Sequence, residues 1–365
     1  MFGAPGGIQR VNRIMSYALD QLSTKNSWLL KVLACYDQPS DLISKYLPAQ
    51  RYLAFSSDWF RFSLSAIWQG LRSDTLILTH INLSPVARII HILNPGCKIL
   101  LVAHGIEVWK PLKGSKRKIC LIADKILCVS RFTKDKMVLL QRVSADKCQV
   151  FNNPLDPFMA LPPSFDKPRA SLKDLHILPT DKVILTLSRI TPHETFKGYL
   201  QVIEAMSTLG REIPSLKYIL AGPIETTEKE NILQLLSRHK LEKQVVLTGY
   251  IKEEDLSILF LSADLFVLPS KKEGFGLVFI EAMAHGLPVI CGNTDGSLDA
   301  VRHPAMGTAI DPDDVQALCE SIKARLDHPA TTEERKEIQR LCLEYFNIHN
   351  YTLQLEKLIH HATTD

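Results

Sequence analysis

Short apolar, β-branched segments alternate with helical patterns along most of the chain. The predicted strands are the segments 29–34, 75–79, 98–103, 125–129, 149–151, 183–187, 217–221, 245–248, 265–268, 288–291 and 308–310. These segments lack strict alternation of apolar and polar residues, which is typical of strands covered on both faces. The predicted helices lie between them, at 8–22, 84–92, 131–142, 196–208, 227–239, 253–262, 277–285 and 312–326. The alternation predicts an α/β fold with doubly wound parallel sheets.

A proline-rich segment divides the chain near residue 160. Five prolines fall between Asn153 and Pro168, and proline both fixes φ and removes a hydrogen-bond donor, so a linker is predicted here. We therefore expect an N-terminal domain at 1–160 and a C-terminal domain at 161–345. A helical tail at 346–365 is expected to pack back on the N-terminal domain. A length of 365 residues suits two domains.

The composition is that of a globular protein, but its charge is unevenly divided. Residues 1–160 carry 21 basic and 10 acidic residues, a net charge of +11, whereas the remainder has a net charge of −7. Either both surfaces are simply solvated, or the basic half faces an anionic membrane or an acidic substrate. The basic residues are not interleaved with aromatic ones, so no nucleic-acid partner is expected.

The beginning of the chain predicts a cytoplasmic protein. Met1 to Gly7 lack the basic and apolar regions of a secretory signal. The eight cysteines form no C-x-x-C pair and several lie in apolar runs, which favours buried thiols over a disulfide framework. The apolar runs are too short to span a membrane, which takes about 20 residues.

The segment 265–288 carries the strongest chemical pattern, a strand, a loop and a helix. Glu273 precedes the helix, and Glu281 follows eight residues later within an apolar stretch. Gly274 and Gly276 flank Phe275, so a ligand can approach the backbone there, and the free N–H groups of a helix start suit a phosphate. The alternative interpretation is a helix-capping acid and a buried acid with a basic partner.

Two other strand ends carry candidate residues. Arg189 and Lys197 follow the strand at 183–187 and could clamp a diphosphate, although two loop cations are also common on a solvated surface. His104 follows the strand at 98–103, where a lone histidine is usually structural. Gly105 and Glu107 come after it, and Glu107 is expected to order the loop. The segment 293–296, which follows the strand at 288–291, either covers the cleft at these strand ends or forms an ordinary turn.

The pattern of Glu273, seven residues and Glu281 on a strand, loop and helix resembles the GT4 family of retaining glycosyltransferases. That resemblance runs from Gly6 to about Asp313. It implies the GT-B fold, two Rossmann-like domains that face a central cleft. Such glycine turns as Gly6-Gly7 normally follow a first strand. Either the first strand is missing from the N-terminal domain, or the start lies upstream.

The resemblance also implies roles for the residues of the second domain. Glu273 is expected to hold the hydroxyls of the donor sugar, and Glu281 the ribose hydroxyls of the nucleotide. Arg189 and Lys197 would hold the diphosphate, although they are eight residues apart here and about five apart in the family. The remaining donor-binding residues implied are Gly274, Phe275, Gly276 and Leu277 at the diphosphate, and Gly222, Tyr250 and Ile251 along the nucleotide.

In the first domain the resemblance places His104 beside the reacting sugar, as a hydrogen-bond partner rather than a base. The backbone of Gly6 and Gly7 would approach the donor phosphate and the acceptor. The implied reaction transfers a sugar from a nucleotide-diphosphate sugar to a glycan or lipid-linked acceptor. The nucleotide of the donor is expected to be UDP or GDP. The sequence shows no metal-binding cluster, so we expect neither a metal nor another cofactor.

A basic run of five cations between Lys110 and Lys118 follows Trp109 and suits peripheral attachment to an anionic membrane. Two other functions remain open. One is another GT-B enzyme acting on a sugar nucleotide, such as a non-hydrolysing epimerase. The other is a glycosyltransferase-like binding subunit without activity. A nicotinamide dehydrogenase is disfavoured, because no strand-linked G-x-G-x-x-G is present.

Overall fold

The computed structural model describes residues 1–3, 6–168, 175 and 177–364. The chain forms two compact units. The first comprises Met1–Phe158 and the chain from Phe346 onward, and the second comprises Met159–Tyr345. Among the helices described, none combines the length and the apolar character that a membrane crossing requires.

The strands of both units pair in parallel. They are β1 (Val32–Ala34), β2 (Tyr52–Ala54), β3 (Thr75–Leu78), β4 (Lys98–Ala103), β5 (Lys125–Cys128), β6 (Cys148–Val150), β7 (Lys182–Leu187), β8 (Leu216–Ala221), β9 (Val245–Gly249), β10 (Leu265–Leu268), β11 (Val289–Gly292) and β12 (Gly307–Ile310). This confirms the predicted α/β class with parallel sheets.

Helices separate most of the strands. They are α1 (Gly7–Lys25), α2 (Trp59–Gly70), α3 (Ser84–Leu93), α4 (Gly114–Ile122), α5 (Arg131–Gln141), α6 (Tyr199–Glu212), α7 (Thr226–His239), α8 (Leu256–Leu261), α9 (Leu277–Ala284), α10 (Ser297–Ala300), α11 (Val315–Asp327), α12 (Thr332–Tyr345) and α13 (Ile348–Thr364).

The first unit contains a four-stranded sheet in the order β3-β4-β5-β6 and a separate pair, β1-β2. Strand β4 is buried on both faces from Ile99 to Ala103, which explains its uninterrupted apolar sequence. Helix α13 packs against α1, where Leu355 joins Met15 and Leu22 in one apolar cluster. The first unit is therefore built from both ends of the chain.

The second unit contains a six-stranded sheet in the order β12-β11-β10-β7-β8-β9. The chain starts at the centre with β7, proceeds outward through β8 and β9, and then returns to β10 on the other side of β7. The strand order thus reverses between β7 and β10. In open α/β sheets, ligands bind outside the carboxyl ends of the strands at such a reversal.

Some elements were not predicted from the sequence. Strand β2 and helices α2 and α4 lie in segments to which no element had been assigned, whereas the tail predicted at 346–365 is helix α13. Strand β1 is shorter than the predicted segment 29–34. Met1–Gly3, the described residues before Gly6, form no strand.

Candidate active site

The loops that follow β7 and β10 lie side by side at the point where the strand order reverses. After β7 the chain passes Arg189 and forms a 3-10 turn over Pro192–Lys197 before α6 begins. The backbone N–H of Lys271, just after β10, donates to the carbonyl oxygen of Phe196 at 2.9 Å. This bond ties the two loops together and brings their polar side chains into one place.

Lys197 and Glu273 form an ion pair between these loops. Their side chains are 16% and 14% exposed, so both charged groups are largely withdrawn from water. A pair this buried requires each partner, because either charge alone would be left poorly solvated. The long loop between Arg189 and Lys197 therefore does not prevent the lysine from reaching the candidate sugar-binding acid.

Arg189 has a different partner. Its Nη2 donates to Oε1 of Glu194 at 2.5 Å, and the arginine side chain is 69% exposed. Glu194 had not been assigned a role from the sequence, because only the turn at Pro192–Lys197 brings it back towards Arg189. The guanidinium lies at the surface, where an anionic ligand can replace or share its carboxylate partner.

Asp295 stabilises the loop that carries Glu273 through hydrogen bonds to the backbone. Its carboxylate accepts hydrogen bonds from the backbone N–H groups of Glu273, at 2.6 Å, and Ser297, at 2.9 Å. The carbonyl oxygen of Glu273 in turn accepts from the N–H of Gly296 at 2.8 Å. A side chain at Gly296 would meet the carbonyl oxygen of Gly274 at 2.0 Å, so only glycine permits this approach. The sequence left segment 293–296 undecided; the structure makes it the support of the loop.

Burial raises the pKa of Asp295 to about 6, and the nearby Glu273 adds to the rise, while the two N–H bonds oppose it. A folded-state pKa above the unfolded value means that the folded protein binds the proton more tightly. Stability from this group is present below about pH 4 and is lost as the pH rises through about 6.

The free energy of unfolding of the wild type, compared with Asp295→Asn, should accordingly fall by up to about 3 kcal/mol between pH 4 and pH 7. Chemical denaturation at several pH values measures this difference. Asp255→Asn, at an exposed acid of the same unit, is the control and should show no such trend. If the difference in free energy of unfolding between the wild type and Asp295→Asn did not change with pH, the raised pKa of Asp295 would be contradicted.

The start of α9 presents backbone N–H groups beside this loop. Its N-cap residue, Gly276, has φ +85°, and no side chain caps the helix. Phe275 is buried, so only its backbone is left to contact a ligand. Glu281 lies in the same helix and is also buried, and its carbonyl oxygen accepts from Nδ1–H of His285 at 2.7 Å.

Gly222 follows β8, the strand next to β7 in the sheet, and Tyr250 follows β9, the strand next to β8. The N–H of Gly222 donates to the carbonyl oxygen of Gly249 at 2.9 Å, which joins the two strand ends. Gly222 has φ +124°, and a side chain there would meet the carbonyl oxygen of Ser188 at 1.9 Å. Tyr250 is 60% exposed and Ile251 is half-buried, so both can contact a ligand.

His104, Gly6 and Gly7 lie in the first unit. Nε2–H of His104 donates to the carbonyl oxygen of Thr79 at 2.9 Å, which leaves Nδ1 as an acceptor. Burial lowers the pKa of His104, so the imidazole is neutral at pH 7. Glu107 orders this loop, as expected, by accepting from the N–H groups of His104 at 2.6 Å and Gly105 at 3.1 Å.

Gly6 is the N-cap of α1, with φ +148°, and Gly7 is the first residue of that helix. No side chain caps α1, and its first turn contains no acidic residue. In neither unit do the described residues bring three His, Cys, Asp or Glu side chains together as a metal site.

The chain is similar in sequence and in fold to several known proteins. The sequence model of the family described as "Glycosyl transferases group 1" matches residues 169–340. A GDP-mannose-dependent alpha-(1-6)-phosphatidylinositol monomannoside mannosyltransferase of Mycolicibacterium smegmatis is 28% identical over 291 residues, which cover 73% of this chain and 68% of the relative. The mannosylfructose-phosphate synthase of Agrobacterium fabrum is 37% identical over 143 residues, 38% of this chain and 31% of the relative.

Among solved structures, the Anabaena protein HepE in complex with UDP-glucose has a TM-score of 0.79 at 18% identity, with 98% of this chain and 97% of that chain covered. Together with the parallel sheets of both units, this likeness defines the fold class as GT-B. The match over residues 169–340, all within the second unit, shows that this part of the chain is similar to the group 1 glycosyltransferases.

Proposed function

We propose that the chain transfers a sugar from a nucleotide-diphosphate sugar to an acceptor hydroxyl with retention of anomeric configuration, without a metal or another cofactor. The observation that carries the proposal is the largely buried ion pair of Lys197 and Glu273 at the reversal of strand order between β7 and β10. Two relatives support the donor class: one is named GDP-mannose-dependent, and one was solved with UDP-glucose.

The ion pair supplies both kinds of contact that a sugar diphosphate requires. A carboxylate accepts hydrogen bonds from sugar hydroxyls, and an ammonium group donates to a diphosphate oxygen. In the proposed complex, Glu273 holds the sugar hydroxyls, while Lys197 and the exposed guanidinium of Arg189 hold the diphosphate. The N–H groups from Gly274 to Leu277 would donate to the same anion.

The proposed chemistry is a front-face substitution. The bond between the anomeric carbon and the diphosphate oxygen breaks, and the acceptor oxygen forms its bond on the same face of the sugar. The leaving diphosphate takes the proton of the acceptor hydroxyl. Lys197 and Arg189 stabilise the negative charge that develops on this leaving group, which is where fixed cations lower the barrier.

We propose further contacts for the outer parts of the donor. We propose that Glu281 accepts from the ribose hydroxyls, with Gly222, Tyr250 and Ile251 along the nucleotide. For the first unit we propose the roles that the family resemblance implies. Nδ1 of His104 would accept a hydrogen bond from the sugar, and the backbone of Gly6 and Gly7 would approach the phosphate.

We further propose a glycan or lipid-linked acceptor and a cytoplasmic protein that associates with an anionic membrane surface. The five cations from Lys110 to Lys118 are all exposed, and three of them lie in α4. Their exposure leaves them available to lipid phosphates. Trp109 beside them is packed inward, because its ring lies 4.9 Å from that of Phe132 and its Nε1 donates to Thr133 at 3.3 Å.

A panel of UDP-, GDP- and ADP-sugars, scored by thermal stabilisation and then by transfer to candidate acceptors, tests the proposal. The expected result is stabilisation by a UDP- or GDP-sugar and transfer with retained configuration. Transfer with inverted configuration would contradict the proposed chemistry. Binding without transfer to any acceptor would favour the inactive binding subunit, and release of nucleotide with an epimerised sugar would favour the epimerase.

In the same assay, Glu281→Gln should weaken the binding of the matching nucleotide by about tenfold, because a charged acceptor of the ribose hydroxyls is replaced by a neutral one. The loss should appear equally with the free nucleoside diphosphate, which lacks the sugar. Glu320→Gln, at an exposed acid in α11, is the control and should bind as the wild type does. Unchanged binding of the nucleoside diphosphate by Glu281→Gln would remove Glu281 from the site.

A further inference from the structure

Helix α2 exposes a line of large apolar side chains. Phe60, Leu64 and Trp68 are 74%, 54% and 55% exposed, and Leu71 follows at the end of the helix at 40%. Their spacings of four, four and three residues place them on one side of a helix. Isolated exposed apolar residues are normal on a protein surface, but a continuous set marks a site of interaction.

Helix α3 packs against α2 and also exposes apolar side chains. Ala66 and Ile67 of α2 pack with Val86 and Ile90 of α3 in one apolar cluster, so the two helices share a packed seam. Beside that seam, α3 leaves three further apolar residues exposed. These are Ile89, Ile92 and Leu93. We call the seven exposed side chains of α2 and α3, from Phe60 to Leu71 and from Ile89 to Leu93, the apolar face.

Cations border the apolar face. The guanidinium of Arg72 lies 3.6 Å from the centre of the Trp68 ring. Arg88 of α3 donates to the hydroxyl of Ser115 at 3.0 Å, which brings the start of the basic helix α4 beside α3. The sequences of α2, α3 and α4 contain no aspartate or glutamate, whereas Arg61, Arg88 and the three cations of α4 lie within them.

The positive charge around the apolar face indicates which partner binds there. A second copy of this chain would bring two sets of cations together across the contact, which like-charge repulsion opposes. An anionic lipid surface instead matches both features, because tryptophan and phenylalanine favour the boundary between headgroups and acyl chains while lysine and arginine pair with lipid phosphates. Each basic residue near such a surface contributes about 1 kcal/mol.

We propose that the apolar face docks onto an anionic phospholipid membrane, with Phe60, Leu64 and Trp68 entering the headgroup boundary and the cations of α3 and α4 contacting lipid phosphates. This inference rests on the membrane-associated acceptor of the proposed function and names the surface that makes the contact. The aromatic residues of that contact are those of α2 and not Trp109, which is partly buried against the core of the first unit.

The test is sedimentation with vesicles of phosphatidylcholine alone and with vesicles in which roughly one lipid in three is phosphatidylglycerol. The wild type is expected to sediment with the anionic vesicles at low salt. The double substitution Phe60→Ser and Trp68→Ser should reduce the partition constant at least about tenfold, because two large apolar groups no longer leave water. Leu139→Ser, at a residue of α5 that is 71% exposed, is the matched control and should sediment as the wild type does.

Tryptophan fluorescence distinguishes insertion of the apolar face into the lipid from electrostatic attraction alone. Binding to anionic vesicles should shift the tryptophan emission to shorter wavelength, and Trp68→Phe should abolish most of that shift while it preserves sedimentation. A wild type that stays in the supernatant, or a double variant that sediments like the wild type, would overturn the proposal. So would a wild-type dimer that the double variant converts to a monomer, since the face would then belong to a second copy.

Failure of this inference can be told apart from failure of the proposed function. Stabilisation by the nucleotide sugar is measured without vesicles, and both the double variant and Leu139→Ser should retain it. If the nucleotide sugar stabilises the protein but neither the wild type nor any variant binds vesicles, the proposed membrane contact is wrong. The proposed donor chemistry is then unaffected.

Discussion

Glu273→Gln is expected to lower the rate of sugar transfer by at least roughly 100-fold, the loss typical of removing one contact made in the transition state. Glutamine keeps the shape of the side chain but loses the charge that pairs with Lys197. Its carbonyl can still accept one hydrogen bond, so donor binding should fall less than turnover. Single-turnover kinetics with the donor identified by thermal stabilisation measure both quantities.

The control for Glu273→Gln is Asp313→Asn. Asp313 is also the partner of a lysine from the loop after β10, Lys271, but its side chain is 73% exposed. An exposed ion pair contributes little, so this variant should turn over as the wild type does. Turnover of Glu273→Gln within a few-fold of the wild type would remove Glu273 from the reaction.

Lys197→Met should cost transfer roughly 100-fold to 1,000-fold, because the leaving diphosphate loses a fixed cation. Methionine fills a similar volume without the charge. The variant also leaves the carboxylate of Glu273 largely buried without its cation, so a lower free energy of unfolding is expected. Denaturant unfolding and single-turnover rates, measured on the same preparations, separate the two effects.

A double-mutant cycle distinguishes the two consequences of losing Lys197. Combining Lys197→Met with Glu273→Gln removes both charges, so the stability lost in Lys197→Met should be regained in part while transfer stays lost. Lys197→Arg should retain more transfer than Lys197→Met. If the double variant regained transfer together with stability, the pair would be a purely structural one.

Much of the second unit could be predicted from its sequence. Strand β10 and the start of α9 follow from an apolar run, a glycine-containing loop and an apolar helix, all local signals. The contact between Lys197 and Glu273 could not be predicted in this way. It joins residues 76 positions apart in the sequence, and it depends on β10 returning to the side of β7, an order that no local pattern encodes.

The support of the Glu273 loop by Asp295 was missed for a related reason. Asp295 and Gly296 resemble an ordinary turn, and only the approach of the Gly274 carbonyl oxygen shows why glycine is needed there. One signal was available: an aspartate next to a glycine directly after a buried strand, on the same sheet edge as the acidic loop. Parallel strands bring such edges together.

Helix α2 escaped prediction because its apolar residues do not form a single buried stripe. Phe62 and Gly70 face inward, whereas Phe60, Leu64 and Trp68 face outward. Apolar residues therefore surround most of the helix, and the period that normally reveals a surface helix is lost. The outward-facing apolar residues that obscure the helical period of α2 also make this helix a candidate for membrane contact.

The pairing of α13 with α1 has a consequence for synthesis on the ribosome. The second unit is one continuous stretch, Met159–Tyr345, and its last residue is made before α13 begins at Ile348. Domains usually fold as they emerge, the N-terminal one first. Here the first unit cannot complete its core before α13 emerges, because Leu355 packs against Met15 and Leu22. A released chain that ends at Tyr345 should thus carry a folded second unit and an unfinished first one with exposed apolar surface.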